Sequence, residues 1–151
     1  MGNDEIISII KDKFKKEILQ IETDPDLTVY VSKDKILPIC QFLHDSSELN
    51  FVYLSDITGV DYPQRNPRFD VVYHLYSIDK NHRIRVKIGI DEGKTVYSVT
   101  GIWKGADWFE REVYDLFGIE FENHPDLRRI LLTDDWQGHP LRKDYPLEAT
   151  K

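Results

Sequence analysis

The sequence predicts an α+β fold: a mostly antiparallel sheet of four or five strands with helices on one face, followed by an extended C-terminal arm. Residues 51–101 alternate polar and apolar side chains, as half-buried strands do. The turns within this region are short enough for antiparallel hairpins. Apolar residues at helical spacing come before and after it, and a sheet with one apolar face needs helices on one side only.

The N-terminal third predicts two helices and a strand. Between residues 4 and 20, isoleucines and Phe14 recur at helical spacing, which predicts an amphipathic helix. Leu27, Val29 and Val31 alternate with polar residues and predict a strand. A second helix is expected from about Lys35 to His44. It would carry Pro38 in its first turn and Cys40 as a small buried hydrophobe.

Four strands are expected in the middle of the chain, at residues 51–57, 68–77, 83–90 and 95–101. Thr58-Gly59 is expected to end the first of them. The third alternates most regularly, with isoleucines and Val86 directed inwards and basic residues outwards. Turns at 79–82 and 91–94 predict that successive strands form antiparallel hairpins.

A third helix is expected to begin at Gly105 or Asp107 and to end at Gly118, a natural left-handed cap. Its apolar face would carry Phe109, Val113 and Leu116 or Phe117, with the charged residues directed elsewhere. The composition changes at Gly118. We therefore expect one domain unit, with a globular part at 1–118 and a partner-binding arm at 119–151.

Composition excludes several classes of function. A chain of 151 residues forms one domain, and a net charge of −7 argues against non-specific binding to nucleic acid. No apolar run approaches the length of a membrane span, and the start MGNDEIIS does not resemble a secretion signal. The single cysteine, Cys40, argues against an internal disulfide or an iron–sulfur cluster and suits a reducing cytoplasm. We expect membrane association only through partners.

The stretch from Trp108 to Leu147 combines charge, aromatic residues and proline-led turns, with little that could form a core of its own. Such a segment is either disordered or lies on another protein. Its content of Trp, Tyr, Phe, Leu and Arg favours the second, because these residues anchor interfaces. The charged residues would then form salt bridges and hydrogen bonds that hold the arm to this domain or to a neighbour.

The histidines and acids of this stretch allow a second interpretation. His124 and His139 could bind a metal with nearby aspartates, as in a free-standing metal-dependent hydrolase, but their spacing fits no helical zinc motif. Glu110 and Glu112 are two residues apart on a helix and face different directions, so they form no acid–base pair. No glycine-rich loop for a dinucleotide or triphosphate is present in the sequence.

The same stretch carries a family resemblance. It contains Glu110-Arg111-Glu112, Asp115-Leu116-Phe117-Gly118-Ile119, Phe121, His124-Pro125, Leu127, Arg129-Ile130-Leu131, Asp134, Trp136, Gly138 and Pro140-Leu141-Arg142-Lys143-Asp144-Tyr145. This pattern resembles the small hydrophilic C-type subunit family of respiratory complex I, the NADH–quinone oxidoreductase. Over the rest of the chain the likeness is one of length and order of elements. In this family an aspartate also follows Gly-Val near the sheet, as Asp61 does here.

The resemblance implies a cofactor-free scaffold protein on the cytoplasmic side of the cell membrane, part of an enzyme only through its complex. It would dock on the large quinone-site subunit, the D-type member of the complex, beside iron–sulfur subunits. FMN, iron–sulfur clusters and quinone would belong to other subunits. No catalytic, cofactor-binding or metal residues are expected in this chain. The expected partner-pairing residues are Glu110, Arg111, Asp115, His124, Arg128, Arg129, Arg142 and Asp144.

The sequence leaves the electron donor open. Related complexes take electrons from NADH or ferredoxin, and membrane-bound hydrogenase complexes carry an equivalent subunit. The pattern is complete up to Tyr145, and on that ground we favour the quinone-linked branch.

Overall fold

The computed structural model describes residues 2–146; the final part of the expected arm, 147–151, lies outside this range. The elements in chain order are α1 (Asn3–Phe14), β1 (Ile18–Glu22), β2 (Thr28–Val31), α2 (Ile36–Asp45), β3 (Tyr53–Asp61), β4 (Phe69–Ser77), β5 (His82–Ile90), β6 (Thr95–Tyr97), α3 (Ala106–Phe117) and β7 (Glu120–Glu122). A short 3-10 helix, Lys33–Lys35, leads into α2.

Five strands form the main sheet, in the order β1-β2-β5-β4-β3. All neighbouring pairs are antiparallel except β2 and β5, which run parallel. The three α-helices and this mostly antiparallel sheet confirm the predicted α+β class. The predicted hairpin between β4 and β5 is also confirmed, with Tyr73 opposite Val86.

The core lies between the sheet and the helices. Helix α1 contributes Ile6, Ile10 and Phe14, and the inward residues of β5 are buried as predicted. Cys40 on α2 is also fully buried, and burial raises the pKa of its thiol above the ordinary range, so the thiol stays protonated and unreactive. Burying each large aliphatic side chain stabilises the fold by about 1.5–3 kcal/mol.

The first helix is shorter than predicted. It ends at Phe14, whereas residues 18–22 form the edge strand β1. Ile18 continues the helical spacing of Ile6, Ile10 and Phe14, but it lies opposite Val31 in an antiparallel pair with β2. Tertiary pairing therefore overrides the local helical pattern here.

Strand β3 was predicted to end at Thr58-Gly59, but it continues to Asp61. Gly59 lies opposite Val71 in the sheet. A Cβ atom at residue 59 would meet the Phe117 ring at 2.8 Å, so the absent side chain lets α3 pack closely on the strand. The glycine thus serves a close approach inside the strand and does not mark a turn.

The prediction for the last strand was also wrong in its pairing. Residues 95–97 do not pair with β5; they form β6, which pairs in parallel with β7 in a separate two-stranded sheet. Ile119 and Phe121, at the start of the expected arm, are buried in the core. The segment without regular structure therefore begins at residue 123, and we refer to residues 123–146 as the C-terminal segment.

Helix α3 ends as predicted, with Gly118 in the left-handed conformation at φ 81°. Two of its charged residues, Glu110 and Asp115, were expected to point away from the packed surface, but both are completely buried. Their carboxylates face backbone and side-chain donors from segments distant in sequence. Within residues 2–146, no helix has the length and apolar character needed to cross a membrane.

Replacing Gly118 by Ala should destabilise the fold by roughly 1–2 kcal/mol through the left-handed backbone alone. A Cβ atom there would also meet the His139 ring at 2.8 Å, which should add to this cost. Gly101→Ala is the control, because its Cβ would meet nothing within 4 Å. Urea denaturation measures both variants, and equal stability of the two would contradict the assigned role of Gly118.

Candidate partner interface

Glu110 joins α3 to the loop that follows β6. One carboxylate oxygen accepts a hydrogen bond from the Ser98 hydroxyl at 2.6 Å, and the other accepts one from the Val99 backbone N–H at 2.8 Å. Burial raises the pKa of Glu110 from 4.5 to about 7, although these two hydrogen bonds favour the ionised form. The contacts of this predicted partner residue therefore lie within the chain.

Asp115 organises the C-terminal segment. One carboxylate oxygen accepts a bond from Arg129 Nη1 at 3.0 Å. The other accepts three backbone N–H groups, from Ile130 at 3.2 Å, Leu131 at 2.8 Å and Leu132 at 3.0 Å. A single buried carboxylate thus satisfies three consecutive amides and one guanidinium, and it holds this turn against α3.

Arg111 and Arg129 extend the same attachment. Arg111 donates to the backbone carbonyls of Arg128 at 3.1 Å and Arg129 at 3.0 Å. Arg129 donates from Nη2 to the carbonyl of Gly138 at 2.7 Å. These two predicted residues therefore bind the backbone of the C-terminal segment, which makes the segment follow the surface of α3.

The two histidines have structural contacts in separate places. The Nε2 atom of His124 lies 3.2 Å from the backbone carbonyl oxygen of Asp107. Its Nδ1 atom accepts a hydrogen bond from the backbone N–H of Asp126 at 2.9 Å. His139 places Nδ1 2.9 Å from the Asp115 carbonyl. In the part of the chain that the structure describes, no group of three or more His, Cys, Asp or Glu residues is placed to hold a metal ion.

A second attachment lies at the end of β3. Asp61 is only 2% exposed. Its carboxylate accepts hydrogen bonds from Arg68 Nε at 2.7 Å and Arg68 Nη2 at 2.8 Å. It also accepts one from the Lys143 backbone N–H at 2.7 Å. The Arg68 hydrogen bonds are the main cause that lowers the pKa of Asp61. Arg68 also contacts Asp144 at 3.2 Å and Glu92 at 3.3 Å.

Arg142 and Asp144, two predicted partner residues, belong to this network. Arg142 pairs with Glu92 and lies 3.6 Å from Asp144. Arg68 and Glu92 were not predicted from the sequence as members of this network. Arg68 directly precedes β4, a position from which a side chain can reach the end of a neighbouring strand. The sequence around Arg68 does not indicate that its partner is Asp61.

Four large apolar side chains stay exposed on α3 and the C-terminal segment. The exposed fractions are 59% for Trp108, 59% for Leu131, 43% for Trp136 and 53% for Leu141. The Arg111 guanidinium lies over the Trp108 ring, 5.4 Å from its centroid. We call these four apolar residues, together with Arg111, the α3–segment surface. Arg128 is exposed as well and pairs only with Asp126 among residues 2–146, at 2.9 Å.

The sequence profile of a family described as respiratory-chain NADH dehydrogenase, 30 Kd subunit, matches residues 29–151. The chain belongs to this family. It is 49% identical to the C-type subunit of NADH-quinone oxidoreductase from Geotalea uraniireducens, over 97% of this chain and 90% of the relative. The same protein of Roseiflexus sp. is 53% identical over 82% of this chain and 72% of the relative. The resemblance to the C-type family of complex I is therefore confirmed.

The fold has a solved counterpart. A chain in the structure of the membrane-bound sulfane sulfur reductase, an archaeal respiratory membrane complex, superposes with a TM-score of 0.80 and 27% identity. The match covers 95% of this chain and 85% of that chain. Members of this 30 Kd subunit family and this structural relative therefore belong to multisubunit respiratory complexes.

Replacing Asp115 by Ala should leave Arg129 and three amides without their acceptor, at a cost of about 3–5 kcal/mol in unfolding free energy. Hydrogen exchange at the amides of residues 130–132 should accelerate more than exchange in β4 and β5. Asp134→Ala, at an exposed position, is the matched control. Unchanged exchange at residues 130–132 would contradict the role assigned to Asp115.

Glu110 should make stability depend on pH. Its pKa is higher in the folded state, so its contribution to stability is complete below about 4.5 and is lost as the pH rises through about 7. Relative to Glu110→Gln, the wild type should lose about 2–3 kcal/mol of unfolding free energy between pH 5 and pH 8. Urea titrations at both pH values measure this difference.

The Gln side chain can still accept from the Val99 N–H and donate to the Ser98 hydroxyl, so the comparison isolates the charge. Glu5→Gln, at an exposed position on α1, controls for the loss of any carboxylate. Parallel pH dependences of wild type and Glu110→Gln would contradict the prediction.

Proposed function

We propose that this chain is a scaffold subunit, without a redox group of its own, in the peripheral arm of a proton-translocating NADH–quinone oxidoreductase. It docks on the large quinone-site subunit, next to the iron–sulfur subunits, and supports electron transfer to quinone by holding that assembly together. FMN, iron–sulfur clusters and quinone are held by the other subunits. The complex places it on the cytoplasmic side of the cell membrane, as a peripheral subunit.

The α3–segment surface is the observation that carries this proposal. Two tryptophans and two leucines lie exposed on a helix and a segment that are held in place by buried ion pairs. Tryptophan and arginine are enriched among the residues that contribute most to protein–protein affinity, and exposed apolar patches mark interaction sites. Because the segment is already attached to α3, docking costs less conformational entropy than the ordering of a free arm would.

The donor groups of the chain support a structural role. Its single cysteine is buried, whereas iron–sulfur clusters need several thiolates. The carboxylates of Glu110 and Asp115 and the ring nitrogens of His124 are engaged with backbone and side-chain groups of this chain. These groups hold the shape of the subunit, and the chemistry of the complex belongs to its partners.

A second candidate is the equivalent subunit of a related membrane complex that takes electrons from ferredoxin or resembles a membrane-bound hydrogenase. The observation that favours it is the fold likeness to a chain of the sulfane sulfur reductase complex. The higher identity to NADH-quinone oxidoreductase subunits supports the first candidate. Identification of the subunits that purify with the native chain distinguishes the two.

Combining Trp108→Ala with Leu131→Ala should weaken assembly, because each interface anchor contributes about 2 kcal/mol or more. The measurement is the amount of large subunit that purifies with a tagged chain from cells expressing the whole complex. Leu19→Ala and Ile78→Ala are matched controls, since both residues are exposed apolar residues outside this surface.

Complexes that still assemble should reduce quinone at the normal rate per complex. Normal assembly of the double variant would contradict docking through the α3–segment surface. Normal assembly with slow turnover would indicate a direct role in electron or proton transfer, against the scaffold proposal.

A further inference from the structure

A groove of about 290 Å³ lies between β3 and α3, beside the α3–segment surface. Its apolar lining includes the buried side chains of Ile57, Val113 and Phe117, together with Leu116 and Leu141. Leu141 also belongs to the α3–segment surface, so the groove is continuous with the surface proposed to dock a partner. Phe117 packs closely on Gly59 at the floor of the groove.

Two acidic side chains line the same groove, Asp56 from β3 and Glu112 from α3. Among residues 2–146, neither carboxylate lies within 4.0 Å of a Lys, Arg or His nitrogen. The nearby His74 is a poor substitute, because burial lowers the pKa of its imidazole and so favours the neutral ring. Burial and the Asp56 carboxylate both raise the pKa of Glu112, as expected for two acids close enough to repel each other.

The apolar lining and the two carboxylates together indicate which kind of side chain the groove can bind. A groove with an apolar floor and carboxylates without a cation suits a side chain that has an aliphatic stem and a positive end. Arginine fits best, since its guanidinium carries five donors and can bind two carboxylates at once. Asp115 and Asp61 each pair with an arginine of this chain, whereas Asp56 and Glu112 form no such pair within residues 2–146.

We infer that the groove between β3 and α3 receives an arginine side chain from the partner subunit, with its stem on Val113 and Leu116 and its guanidinium between Asp56 and Glu112. This inference rests on the proposed function for the identity of the partner. The geometry of the groove, by contrast, can be tested on this chain alone.

The first experiment uses the full-length chain, labelled with ¹⁵N, and butylguanidinium chloride as the probe. Amide shifts should concentrate at residues 56–59 and 112–117 and saturate with a dissociation constant on the order of millimolar, as expected for so small a ligand. Butylurea, which lacks the charge, and guanidinium, which lacks the alkyl chain, should each bind at least about fivefold more weakly.

The control variant is Asp56→Asn with Glu112→Gln, which removes both charges and keeps the side-chain shapes. Both residues are partly exposed and outside the core, and an unchanged amide spectrum elsewhere verifies the fold. The double variant should lose the butylguanidinium shifts. Equal shifts in wild type and double variant, or shifts spread over acids of α1, would overturn the groove as a guanidinium site.

The second experiment measures co-purification of the large subunit with the tagged chain, as for Trp108 and Leu131. The groove variant should lower the yield of complex at least about tenfold. If it assembles normally while the Trp108 and Leu131 variant does not, the arginine inference is overturned and the proposed docking function stands. If both variants assemble normally, the docking function and the arginine inference are overturned together.

Discussion

The buried carboxylate of Asp115 is the contact on which the arrangement of the C-terminal segment depends. It accepts three consecutive backbone amides and the Arg129 guanidinium, and Arg129 in turn binds the carbonyl of Gly138. A segment with few apolar residues to bury cannot order itself through a core. Here its amides gain a charged acceptor inside the domain, which offsets part of the entropy lost on ordering.

The Asp61–Arg68 pair acts as a second attachment at the other end of the segment. The Asp61 side chain is almost fully buried, so its two bonds to Arg68 and the bond from Lys143 are sheltered from water. Glu92 and Asp144 are more than half exposed, and ion pairs of that kind contribute about 0–1 kcal/mol each. Most of the stabilisation at this end therefore comes from Asp61, and the outer acids complete the network.

These two attachments hold the C-terminal segment against the domain, and so they fix the surface that we propose for partner docking. Most charged groups of the expected interface contact other groups of this chain, and four large apolar side chains stay exposed beside them. Trp108, Leu131 and Leu141 are then presented by a preformed surface, and the groove beside them adds two carboxylates for charge complementarity. In the proposed docking, the apolar anchors would supply affinity and the acidic groove would supply register and choice of partner.

Features that depend on local chemistry could be predicted from the amino-acid sequence. Alternation marked β4 and β5, the proline position marked the start of α2, Gly118 marked the end of α3, and the residue pattern after Trp108 identified the family. Tertiary structure decided the pairing of β1 with β2 and of β6 with β7, and the passage of β3 through Gly59. It also decided that Glu110 and Asp115 are buried. Their hydrogen-bond donors lie 11 to 17 residues away along the chain. Periodicity reports the character of a side chain, but burial of a carboxylate depends on distant donors that only the folded chain brings to it.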